Sequence, residues 1–131
     1  MEDVEYSMRK ELPGVAFDEA LERVEEALSD AGFGILTEID VKATLKEKLD
    51  EEFKAYRILG GCNPNLAHRA LSADDNIGLL LPCNVVVAET PDGAEVAFLR
   101  PTSMLSVAGN DEIMPVAEEA EGLLREALDA V

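Results

Sequence analysis

Cys83-Asn84-Val85-Val86-Val87-Ala88-Glu89, Thr90-Pro91-Asp92-Gly93 and, after Ala94, Glu95-Val96-Ala97-Phe98-Leu99 form the stretch that decides the fold. The first run, built on Val85-Val86-Val87, predicts the most buried strand of the protein. Pro91-Asp92-Gly93 is turn chemistry: proline presets φ, and glycine accepts conformations closed to other residues. The run from Glu95 to Leu99 then returns antiparallel. Arg100-Pro101 breaks it, and a short helix is expected over 102–107.

Working outward, the stretch before this hairpin holds Cys62, the only cysteine besides Cys83, and the only histidine, His68. Lys54 to Leu59 predicts a strand that Gly60-Gly61 ends. Asn63 is a good N-cap and Pro64 suits the first helical position, where its missing N–H costs nothing. The helix they start carries Leu66, Ala67, Ala70 and Leu71, and ends in the turn-like Ala73-Asp74-Asp75-Asn76. Phe33 to Val41 predicts another strand, with Phe33, Ile35, Thr37, Ile39 and Val41 on one face. Lys42 to Leu49 predicts a short helical turn. Ala20, Leu21, Val24, Ala27, Leu28 and Ala31 share one face of a helix over 17–31, with Asp18 at its start and Gly32 past its end. A polar edge strand is expected over 2–9, before a turn at Pro13-Gly14. The last helix runs from about Asp111 to Ala130, with Ile113, Val116, Ala117, Ala120, Leu123, Leu124, Ala127 and Leu128 inward. Residues 1–131 thus read as one two-layer α+β domain, a mostly antiparallel five-stranded sheet packed against two long helices.

The chain carries 28 acidic and 11 basic residues, a net charge of -17. Nucleic-acid chains and anionic membranes are bound through Lys and Arg, so this composition argues against both as partners. Charges this dense repel one another at low ionic strength and are screened near molar salt, as in a halophilic protein. No apolar run approaches the ~20 residues that span a bilayer, and the N-terminus has no signal-peptide pattern, so a cytoplasmic protein is expected. In that compartment two cysteines are free thiols, ligands or redox partners rather than a structural disulfide. There is no P-loop, GxGxxG, GxSxG or HExxH to support nucleotide, hydrolase or metalloprotease chemistry.

Cys62 directly precedes a helix start, where backbone N–H groups and the helix dipole favour a thiolate. Cys83 opens the buried strand. His68 lies on the helix after Cys62 and is a candidate base or ligand. Cys62, His68 and Cys83 are the metal candidates, short of a closed four-ligand zinc site. Asn63 and Asn84 accompany the cysteines and read first as caps and turn formers. Lys42, Lys46 and Lys48 form a local anion-site candidate, or else pair with Glu47, Glu51 and Glu52.

Gly32-Phe33-Gly34-Ile35-Leu36-Thr37-Glu38-Ile39-Asp40-Val41, Tyr56-Arg57-Ile58-Leu59-Gly60-Gly61-Cys62-Asn63-Pro64 and Ile77-Gly78-Leu79-Leu80-Leu81-Pro82-Cys83-Asn84 resemble the DUF302 family. The likeness covers nearly the whole chain, although Arg100 stands where the family has an acid before Pro101. It implies a helix-backed antiparallel sheet grouped near the TBP-like folds, and a homodimer. It does not indicate a reaction, and it leaves any cofactor open. The expectation is a small binding protein holding a ligand or metal near Cys62 and Cys83. The alternatives are a thiol redox protein using that pair, and a structural or regulatory homodimer with inert cysteines.

Overall fold

A computed structural model describes residues 2–131. The elements in order are β1 (Ser7–Pro13), α1 (Phe17–Asp30), β2 (Gly34–Asp40), α2 (Val41–Leu49), β3 (Tyr56–Cys62) and α3 (Pro64–Ala73). A 3-10 segment over Asp75–Leu80 leads to β4 (Cys83–Thr90) and β5 (Gly93–Leu99). A short helix α4 (Pro101–Leu105), a 3-10 turn and α5 (Met114–Ala130) complete the chain. The sheet is five-stranded, in the order β1-β5-β4-β3-β2, and every pairing is antiparallel. The α+β reading therefore holds, and the β4–β5 hairpin sits inside the sheet. No helix among the described residues is long and apolar enough to cross a membrane.

One face of the sheet packs on α1 and α5. Val24, Leu28, Leu59, Val85, Val87, Val96, Phe98 and Leu124 form this core. A second core joins α3, the 3-10 segment, α4 and α5 through Leu66, Ile77, Leu105, Ile113 and Ala117. Helix α5 serves both, because its apolar positions are inward along its whole length.

Several boundaries differ from the sequence reading, each for a local reason. The first strand covers Ser7–Pro13 rather than 2–9, because its partner β5 fixes the register from Ser7↔Leu99 to Pro13↔Gly93. Helix α1 is capped by Ala16, with Asp18 inside the first turn. Gly60-Gly61 does not end β3. Both glycines lie within it, because a Cβ on Gly60 would stand 2.2 Å from Thr37 Oγ1 and 2.7 Å from Pro82 Cγ. Strand β2 does not keep one face. Leu36 is an extra residue, with Ile35 paired to Gly61 and Thr37 to Gly60. Such a bulge reverses which side chains face the core. Ile35 packs on the core, while Ile39 is 49% exposed. The last helix begins at Met114, after a turn over 111–113.

Candidate functional site

Where the two cores meet, a cavity of about 330 Å³ remains. It lies past the C-terminal end of β3 and the start of β4, beneath α3 and beside α5. Its origin is steric. Ala67 and Ala70 on α3 and Ala120 on α5 all line it. Side chains this short leave volume that the larger residues of the two cores do not fill. Phe33, Leu66, Leu81, Leu105 and Val116 supply most of the remaining wall. Leu36 (68% exposed) and Leu71 (39% exposed) mark its opening to solvent.

Both cysteines line this cavity, and both are free thiols. The sheet places them there. Cys83 pairs with Gly61, so Cys62 is one residue removed on the neighbouring strand. Cys62 ends β3 and is half-buried, and Cys83 is buried. Burial, and then the neighbouring Cys62, push the Cys83 thiol up to about 11. Cys83 is therefore protonated at neutral pH. Asn63 also lines the cavity, but its Oδ1 accepts from Leu66 N–H at 3.2 Å, the capping role its sequence position implies. Besides these three residues, Thr37 is the polar side chain in the wall, and no charged residue lines it.

The other candidates fall elsewhere. His68 is exposed on α3 and does not line the cavity. Among the described residues, no three His, Cys, Asp or Glu side chains come together to hold a metal ion. Asn84 is exposed and pairs with Gly60, lining a separate depression on the far side of the sheet. Lys42, Lys46 and Lys48 are exposed on α2. Lys46 is held by Asp50 at 2.7 Å and Glu52 at 3.0 Å, and these hydrogen bonds raise its pKa. Its charge is thus answered within the chain, by acids that follow α2 rather than by Glu47.

Sequence reasoning finds Cys62, Asn63 and Cys83 but not the wall around them. Phe33, Leu66, Val116 and Ala120 carry no chemistry that marks them as anything but core. The one usable signal is the set of alanines on the inward faces of α3 and α5.

No curated protein matches this chain. Among solved structures, the crystal structure of an uncharacterized conserved DUF302 protein from Bacillus stearothermophilus superposes with a TM-score of 0.88 at 28% sequence identity. The match covers 97% of this chain and 98% of that one. The family model described as "domain of unknown function DUF302" matches residues 8–131, so the chain belongs to the DUF302 family.

Proposed function

We propose that this protein binds a small, uncharged, largely apolar molecule in the cavity between α3, α5 and the β3–β4 end of the sheet. The observation that carries the reading is the wall itself. A 330 Å³ space lies within the range of small-molecule sites, and apolar side chains with a few polar atoms are the usual lining of such sites. In a chain of net charge -17, a wall free of charged side chains selects against anions by sparing them no partner and against cations by offering no carboxylate. Cys62, half-buried at the edge of the space, supplies a soft contact.

A second reading, reversible oxidation of Cys62 and Cys83, draws support from their shared cavity and neighbouring register positions. The raised pKa of Cys83 counts against it as a ready thiolate in the reduced protein. Free thiols and the acidic surface fit a reducing, salt-rich cytoplasm.

Native mass spectrometry without reductant, followed by titration with n-hexanol, n-octanol and n-decanol, tests these readings. Ligand binding predicts a rise in melting temperature with the alcohols that Ala67→Phe abolishes while leaving the far-UV spectrum unchanged. A wild-type melting temperature indifferent to all three alcohols would sink the proposal. A species two daltons light, absent in Cys62→Ser, would favour the redox reading instead.

A further inference from the structure

The basic residues of this chain are few and unevenly placed. Four of the eleven, Arg9, Lys10, Arg100 and Arg125, line one depression of about 430 Å³. Arg9 and Lys10 come from the edge strand β1, Arg100 directly follows β5, and Arg125 stands on α5. Asp3 and Asp129 share the wall. Cations thus outnumber acids four to two here, in a chain where acids outnumber cations 28 to 11.

The four are not equally committed. Arg9 is held by Asp3 at 2.9 Å and Glu95 at 3.2 Å. Lys10 donates to the last carbonyls of α5, answering the negative end of that helix where it borders the depression. Arg100 donates to the Glu5 and Ser7 carbonyls at 3.0 and 3.3 Å, with Glu121 at 3.5 Å. These contacts fix its guanidinium and leave it N–H groups to spare. Arg125 is exposed and, among the described residues, makes no hydrogen bond or ion pair. Its five donors are free.

We propose that this depression binds a small phosphate-bearing anion, gripped by Arg100 and Arg125, with Lys10 screening the helix end behind it. Guanidinium groups meet phosphate oxygens through paired, charge-assisted hydrogen bonds. A phosphate gathers its charge on one centre with oxygens pointing several ways, so it can engage two arginines arriving from different elements at once. A carboxylate is planar and suits a single fork. Size and charge both favour a small ligand. A space of 430 Å³ lies within the range of small-molecule sites. A long phosphate chain or a lipid surface would extend past the depression onto the acidic remainder of a -17 chain, whereas a compact anion meets only the local excess of cations. Asp3 is the built-in competitor, since its carboxylate holds Arg9 and its side chain is 93% exposed.

Calorimetric titration of the full chain with sodium pyrophosphate tests the proposal, with ionic strength held at ~0.15 M by KCl so that screening stays constant. One saturable site per chain is expected. Arg125→Gln, at an exposed position with no partner in the chain, should fold as the wild type does and weaken binding roughly tenfold, the loss of about one charge-assisted contact. Arg23→Gln removes the same charge from α1, outside the depression, and should leave the affinity unchanged. Asp3→Asn should tighten binding. Citrate, similarly charged but carboxylate-based, should bind more weakly. The absence of a saturable heat overturns the proposal. So do equal losses in Arg125→Gln and Arg23→Gln, which would reduce the effect to bulk charge, an Asp3→Asn variant that binds no tighter, or citrate bound as firmly as pyrophosphate.

Discussion

Cys83 faces the helices, and its thiol is pushed up from 9.0 to about 11, by burial first and Cys62 second. The folded protein holds this proton at pH values where the unfolded chain releases it. The resulting stability is complete below pH 9 and is lost as pH rises toward 11. The wild type should therefore lose on the order of 2 kcal/mol more than Cys83→Ala across that window, measured by urea unfolding. Iodoacetamide at neutral pH should label Cys62 well before Cys83, as peptide mapping after a time course can show, and a bound alcohol should slow that labelling. Gly60 makes a separate prediction. A methyl group there meets Thr37 and Pro82, so Gly60→Ala should cost about 1–3 kcal/mol, partly recovered by adding Thr37→Ala. At this scale the sequence reveals where the cysteines are, because helix-start chemistry is local. It does not reveal that Gly60-Gly61 continues β3, because that depends on Thr37 and Pro82 arriving from elsewhere.

Among the elements, β1 and α5 share the apolar core and are also joined by the hydrogen bonds of one side chain. Lys10 Nζ donates to the carbonyls of Leu128, Asp129 and Val131, at 3.3, 3.2 and 2.7 Å. The last carbonyls of a helix lack partners within it, and the dipole there favours a cation. Lys10→Met should cost about 1 kcal/mol, and faster hydrogen exchange near residues 127–131 would identify the cause. The helices are legible in the sequence because their apolar faces repeat at short range. Pro64, Asn63 and Gly32 mark ends where expected, with Gly32 at φ +90°. The bulge at Leu36 is not legible. It is set by register against β3, and the alternation of Phe33 to Val41 reads equally well without it.

For the whole molecule, 28 acidic side chains stand against 11 basic ones on 7411 Å² of surface. Ion pairs such as Arg57 with Asp40 and Arg69 with Glu119 answer only some of the acids. Raising KCl from ~0.1 M to ~1 M shortens the screening length from ~10 to ~3 Å, so the melting temperature should rise over that range. A flat profile would mean that the charge is already accommodated. Composition makes the charge plain, whereas the cavity needs three dimensions, since its alanines come from α3 and α5 and its thiols from neighbouring strands. The clasp between β1 and α5 also bears on synthesis. Strand β1 has one neighbour, β5, which a ribosome adds some eighty residues later. At roughly 5–20 residues per second, β1 therefore waits seconds, solvent-exposed and unpaired, before it can join the sheet. Arg9, Lys10 and Glu11 make the segment that waits a polar one, and β1 can join the sheet no earlier than β5.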